Sequence, residues 1–239
     1  MTHGPADPEL VQRLAALTTP HLADACVRAR IPVRCAPAAV RAALPGTRLA
    51  GRALPARHAG SVDVFLEAFQ SAAPGDVLVA DNGGRLDEAC IGDLIALEAQ
   101  TAGLAGLVIW GLHRDTADLQ AIGLPVFSLG ALPAGPQRVH PRPPGALETA
   151  VVGEWTVSRD DIVAGDSDGV LFLPAGQAAG ICALAETVRD TERRQAARIR
   201  NGTTLRSQLA FDAYLARREQ DPSLGFREHL RTIGGAIEE

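Results

Sequence analysis

The sequence predicts an α/β domain of short strands and helices followed by a helical C-terminal extension. Three observations carry this. Val77-Leu78-Val79-Ala80 and Leu107-Val108-Ile109-Trp110 are short apolar runs that end in polar or glycine residues, as buried strands do. Between them, Leu94 to Ala102 is rich in Leu, Ala, Glu and Gln and is followed by Gly103, the composition and stop signal of a helix. From Gln177 onward Ile181, Leu184, Ala185 and Val188 recur at helical spacing. Strands mixed with helices up to Leu173, then helices alone, place the α/β domain in residues 1–202 and the extension in residues 203–239.

Leu10 to Leu17 reads as a short amphipathic helix. Thr18 or Thr19 can cap a second helix with Pro20 at its first turn, running to about Ala29. Ile31 to Pro45, rich in Pro and Ala, reads as loop; Arg48 to Ala56 as a strand; Val62 to Phe69 as a helix. Pro74-Gly75-Asp76 is a turn feeding the strand at Val77. Asp115 to Ala121 is a helical turn or two, Val126 to Ser128 a strand, and Ala131 to Gly145 a long connection. Val151-Val152 and Trp155 to Val157 are strand pieces. Asp160 to Gly169 holds a strand and an acidic turn, and Val170 to Leu173 a strand stopped by Pro174. Asn201-Gly202 ends the helix after Gln177, Leu205 to Gln220 is a second amphipathic segment, and Gly225 to Ile237 shows little pattern.

The 239 residues carry 46% hydrophobic and 21% charged side chains, ordinary for a globular protein. Aromatics make up only 4%, so Ala, Val and Leu must build the core. A net charge of −5 argues against a nucleic-acid partner, which needs a dominant basic surface. No apolar run approaches the roughly 20 residues of a membrane span. The N-terminus lacks the basic and apolar regions of a signal peptide, so a cytoplasmic location is expected. Cys26, Cys35, Cys90 and Cys182 are scattered without metal or redox spacing and read as reduced thiols.

A right-handed strand–helix–strand unit brings the helix start and the end of the second strand to one sheet edge, where α/β proteins place ligands. Here that edge collects Gly92-Asp93-Leu94-Ile95 and Arg114-Asp115. It offers free helix N-terminal amides, one guanidinium and two carboxylates, a set suited to a metal ion and a small carboxylate substrate. Taken singly, these residues have plain alternatives. Asp81-Asn82-Gly83-Gly84 is a turn, Asp93 a helix cap, and Arg114-Asp115 a surface ion pair. His113 is adjacent, and packing accounts for it; His21, His58 and His140 show no partner in the sequence. Asp166 and Asp168 suggest a calcium loop but lack its other ligands, which favours a tight acidic turn.

The spacing is more specific than its parts. Asp93 and Arg114 bracket twenty residues, Asp115 follows, and Asp118 comes three residues later. This resembles the class II pyruvate aldolases that cleave 4-hydroxy-4-methyl-2-oxoglutarate and 4-carboxy-4-hydroxy-2-oxoadipate. Their signature is Asp, twenty residues, Arg-Asp, two residues, then Asp or Glu. These aldolases share their fold with the regulators of ribonuclease activity A. The likeness runs from about Thr18 to Arg200 and includes Pro74-Gly75-Asp76-Val77 and Gly165-Asp166-Ser167-Asp168-Gly169-Val170.

The resemblance implies a layered β/β/α domain, a divalent metal (Mg²⁺ or Mn²⁺), and a homotrimer or homohexamer with sites between subunits. It implies a lyase that releases pyruvate from a 4-hydroxy-2-oxo acid, with oxaloacetate decarboxylation through the same enolate. By resemblance, Asp115 binds the metal directly and Asp93 through water. Arg114 contacts the 2-oxo group, and the amides of Gly92, Asp93, Leu94 and Ile95 hold the substrate carboxylate. A further acid reaches the metal from a neighbouring subunit; Asp190 and Glu192 are candidates, with Glu192 preferred. Such chemistry suits oxygen ligands, because magnesium and manganese keep several waters and need only one or two protein carboxylates. The alternative is a non-catalytic protein-binding regulator of ribonuclease activity. In those regulators the metal-binding Asp and the Gly-Asp before the helix are altered, whereas Gly92-Asp93 and Asp115 are intact here.

Overall fold

Capped helices open the chain in the computed structural model, which describes residues 6–234. Asp7 accepts from the Glu9 amide at the start of α1 (Pro8–Ala15). Thr18 and His21 form a reciprocal capping box on α2 (Thr19–Ala29), with Pro20 in its first turn. Two short strands follow, β1 (Arg34–Cys35) and β2 (Arg41–Ala42), within the stretch expected to be loop. At two residues each they are too short to show a period in sequence. Next come β3 (Leu49–Arg57), α3 (Asp63–Gln70) and β4 (Val77–Asp81), then β5 (Ala89–Ile91), α4 (Asp93–Thr101) and β6 (Gly106–Trp110). The chain continues through β7 (Leu112–His113), α5 (Thr116–Ile122), β8 (Val126–Ser128), β9 (Thr149–Val152) and β10 (Trp155–Ser158). The remaining strands are β11 (Asp161–Asp166) and β12 (Gly169–Pro174).

Eight strands form one sheet in the order β1-β12-β11-β3-β4-β6-β8-β2. Its centre, β3, β4, β6 and β8, is parallel, and the flanks are antiparallel. The two edge strands are joined by residues 36–40 alone. Five residues and their flanking bonds reach about 20 Å when extended, so the sheet must curl until its edges approach. Pleating then sorts the side chains. Val77, Val79, Val108, Phe127, Val163 and Phe172 point into the curl, which is plugged by Val152 and Val157 of the β9–β10 hairpin. Leu78, Ala80, Leu107 and Ile109 point outward against α3 and α4. Ile162, Leu171 and Leu173 pack on α1, α2 and α6 (Ala178–Arg200). Hairpin, sheet and helices thus make the expected β/β/α layers.

Asp166 closes a tight acidic turn. Its buried carboxylate accepts from Thr19 N (2.8 Å), Thr19 Oγ1 (2.7 Å) and Asp168 N (2.9 Å), tying the β11–β12 turn to the start of α2. After α6, the amphipathic segment Leu205 to Gln220 forms two helices, α7 (Leu205–Gln208) and α8 (Phe211–Gln220), separated where Ala210 adopts φ 45°, ψ 45°. The tail expected to lack pattern contains α9 (Phe226–Ile233), whose Phe226 packs edge-on to Tyr214 at 4.9 Å. His229 hides the stripe: polar by type, it is buried here and donates from Nε2 to Leu209 O at 2.8 Å. The last residues of that tail, beyond 234, lie outside the described ones.

Candidate active site

The strand–helix–strand unit forms as expected, with β4 parallel to β6 in the register Val77↔Gly106 to Asp81↔Trp110. It contains one insertion the sequence does not signal. After β4 the chain turns through Asn82 to Glu88 and adds β5, which pairs with β7 before α4 begins. Asp81 anchors this turn, accepting from Gly83 N and Val151 N, both at 2.9 Å. Asn82 N and Gly84 N both donate to Trp110 O. Gly84, at φ 67°, lies so close beneath the Trp110 ring that a Cβ would stand 2.7 Å from it.

Gly92 is the N-cap of α4, so the next residues present amides without intrahelical acceptors at the positive end of the helix dipole. Arg114 is locked beside it by Arg114 N donating to Ile91 O at 3.0 Å. Asp115 adopts the left-handed conformation (φ 59°, ψ 41°), which Asp tolerates better than most residues. That turn stops β7, starts α5 through Leu119 N donating to Asp115 O (2.9 Å), and throws the carboxylate back toward α4. Asp115 Oδ2 lies 3.5 Å from Asp93 N and 3.3 Å from Arg114 Nε. A Cβ on Gly92 would collide with that oxygen and stand 3.2 Å from Arg114 Cγ and Nε.

The cavity at this junction measures about 180 Å³. Gly92, Asp93, Leu94, Ile95 and Arg114 all line it; Asp115 stands behind them, beside Asp93 N and Arg114 Nε, and is not one of its walls. Asp93 also borders a shallower groove between α4 and α5, where Asp118 sits with Leu97 and Gln100. Asp118 therefore belongs to the spacing pattern but not to the Arg114 pocket. Val62, Ala89, Cys90 and Pro136 complete the pocket wall. They come from loops and β5, and no sequence signal marks them. Gly135 passes over the guanidinium, with Arg114 Nη1 2.8 Å from the place of a Cβ.

Glu192 is on α6 with its side chain half exposed, and its Oε2 is 3.2 Å from His21 Nε2 of the same chain. His21 thus has a partner that the sequence does not reveal. Asp190 pairs with Arg189 at 2.9 Å. His113 is buried, with Nδ1 2.7 Å from Ser128 Oγ and Nε2 3.2 Å from Thr116 Oγ1. Both ring nitrogens are used in packing β7 against β8 and α5, and burial lowers the imidazole pKa.

Among the described residues, no three His, Cys, Asp or Glu side chains converge as a metal-binding group. The local donors are hard oxygens, Asp115 and Asp93, at a junction kept open by Gly92. That set fits a cation that retains waters and does not fit a tetrahedral zinc centre. Among the described residues no helix is long and apolar enough to cross a membrane.

A protein of Halalkalibacterium halodurans named "Putative 4-hydroxy-4-methyl-2-oxoglutarate aldolase" is 32% identical over 146 residues, 60% of this chain and 68% of the relative. The crystal structure of an uncharacterized protein from Pseudomonas syringae pv. tomato superposes with a TM-score of 0.74 at 26% identity, covering 85% of this chain and 98% of the other. Streptomyces coelicolor RraAS2, described as an unusual member of the RNase ES inhibitor RraA family, shares the fold with a TM-score of 0.71 at 23% identity, over 81% and 99% of the two chains. The family described as RraA-like, Aldolase/RraA, matches residues 19–172. The family match covers more than half of the chain, and the fold is shared: this chain belongs to the RraA-like family.

Proposed function

We propose that this protein is a divalent-metal-dependent lyase that cleaves a 4-hydroxy-2-oxo acid and releases pyruvate. The observation that carries the reading is the meeting of the Asp115 carboxylate, the Arg114 guanidinium and the α4 N-terminus around Gly92. Aldolase names among relatives at 32% identity support the same reading.

In this reading the substrate carboxylate docks on the amides of Gly92 to Ile95, where the helix dipole favours an anion. Asp115 would hold the cation, Mg²⁺ or Mn²⁺, directly and Asp93 through water, and the cation when bound would supply Lewis-acid stabilisation of the pyruvate enolate. Arg114 donates to the 2-oxo oxygen as negative charge develops there, so its hydrogen bond strengthens toward the transition state. The C4 hydroxyl loses its proton, directly or through water, to the Asp93 carboxylate acting as base. The C3–C4 bond breaks, its electrons enter the enolate, and C3 is protonated to give pyruvate. Oxaloacetate decarboxylation reaches the same enolate by loss of CO₂ and is proposed as a second activity.

The pocket is open on one side. Leu94 (74% exposed) and Val62 line it with uncovered apolar surface. This supports a homotrimer or homohexamer in which a neighbouring copy covers the pocket, and in which Glu192 of that copy approaches the cation. The non-catalytic regulator is disfavoured because the Asp115 carboxylate stands beside the Asp93 amide at the Gly92 end of α4.

The test is pyruvate formation from 4-hydroxy-4-methyl-2-oxoglutarate and from oxaloacetate, coupled to lactate dehydrogenase, with light scattering to give the subunit number. Metal-stimulated pyruvate release supports the lyase; its absence on both acids removes that reading. A monomer in solution removes the shared site.

A further inference from the structure

A second cavity, of about 140 Å³, has no part in the chemistry above. Glu88 lines it, and the next residue, Ala89, lines the candidate pocket, so the two cavities flank the entry to β5. Its other polar walls are His58, Asn82, Arg85 and the exposed His140. Asn82 is only 3% exposed, yet its Nδ2 has no partner. His58 Nε2 is buried and also without a partner.

The chemistry of these two atoms is fixed by their neighbours. His58 Nδ1 lies 2.9 Å from Asn82 Oδ1. An amide oxygen only accepts, so Nδ1 carries the proton and Nε2 presents a lone pair. Burial lowers the imidazole pKa, which keeps the ring neutral. The ring stacks on buried Phe65 at 5.3 Å and 5°, which fixes its direction. The cavity therefore presents one neutral acceptor and one neutral donor, both already stripped of water, beside the buried Arg85 Nε, which faces Glu88 without hydrogen-bond geometry.

Charge is balanced around them. Arg85 Nε lies 3.0 Å from Glu88 Oε1, Arg85 Nη2 is 2.8 Å from Asp87 Oδ2, and Arg138 also pairs with Asp87. The second Glu88 oxygen accepts from Gln137 N at 3.2 Å. A carboxylate entering here meets the buried Glu88, and a cation competes with Arg85. A hydroxyl meets neither objection: it accepts from Asn82 Nδ2 and donates to His58 Nε2. The volume equals about four waters at about 30 Å³ each, enough for a short hydroxylated arm.

We propose that this cavity is a hydroxyl-binding subsite that receives the distal arm of the substrate, making polyhydroxylated 4-hydroxy-2-oxo acids the preferred class. The hydroxyl assignment stands on the cavity alone, whereas its link to a substrate arm rests on the lyase reading.

Two measurements separate these claims. Saturation-transfer NMR uses meso-erythritol as the probe and succinate as an anionic competitor. Erythritol is expected to receive saturation from the wild type, to be unaffected by succinate, and to lose the effect in His58→Phe, which keeps the ring on Phe65 but removes both nitrogens. No transfer to erythritol, or equal transfer in the variant, means the cavity holds only solvent and overturns the subsite. In the second measurement, kcat/KM of the wild type for 4,5,6-trihydroxy-2-oxohexanoate is expected to exceed that for 4-hydroxy-2-oxopentanoate at least tenfold, with the preference reduced to about twofold in His58→Phe. Pyruvate release without any preference in the wild type overturns the arm assignment, and needs no variant to fold. Erythritol binding with no pyruvate from either acid keeps the subsite and removes the lyase.

Discussion

The carboxylate of Asp115 occupies the volume that a side chain at position 92 would fill, and Gly92 leaves that volume free. The backbone there is ordinary, with φ −133°, so alanine meets no conformational penalty and the effect of substitution is steric. Gly92→Ala should lower kcat/KM by about 10²–10³, comparable to loss of an oxyanion donor, about 2.7–4 kcal/mol. The melting temperature should move by only a few degrees, because the Asp115 side chain is one-third exposed and can swing outward. Activity within threefold of wild type would show that the position of Asp115 is not critical.

Asp115→Ala should remove activity and metal stimulation together. Binding of Mn²⁺, followed by electron paramagnetic resonance, should weaken in parallel. If the variant keeps metal-stimulated turnover, Asp115 is not a metal ligand.

Arg114 is assigned to charge that develops during the reaction, so its loss should appear mainly in kcat. Arg114→Lys keeps the charge but loses the planar fork beside Asp115, and should cost about 2–4 kcal/mol of transition-state stabilisation. A rise in KM with unchanged kcat would limit Arg114 to ground-state binding.

The spacing of Gly92, Asp93, Arg114 and Asp115 was legible because a parallel strand–helix–strand unit must bring those positions to one edge. The apolar runs at Val77 and Leu107 and the stop at Gly103 made that unit visible. Thr18 and Pro20 likewise announced α2 through capping chemistry. Other features carry no local signal. β1 and β2 exist because a curled sheet offers them partners, a tertiary fact. The stripe Phe226, His229, Leu230, Ile233 has helical spacing, but a histidine counts as polar until Leu209 supplies its acceptor. Pocket walls such as Val62 and Pro136 come from distant segments, and the hold of His21 on Glu192 joins two helices far apart in the chain.

Stability should depend on pH through His58 and His113. Burial places both imidazole pKa values below the ordinary 6.5. Below pH 6.5 the unfolded chain takes up protons that the folded chain resists. This stabilisation is therefore complete above pH 6.5 and is lost as pH falls toward the lowered folded values. Each histidine contributes a slope of at most about 1.4 kcal/mol per pH unit. Melting temperatures between pH 7.5 and 5.5 should fall on acidification, and less steeply in His113→Gln. A slope unchanged by that substitution would assign the effect elsewhere.

The central claim is tested most directly by pyruvate release from 4-hydroxy-4-methyl-2-oxoglutarate and oxaloacetate, measured with Mg²⁺ or Mn²⁺ and again after EDTA. The account predicts turnover on at least one of the two acids that EDTA abolishes and added metal restores. No pyruvate from either acid, or turnover indifferent to EDTA, would contradict it.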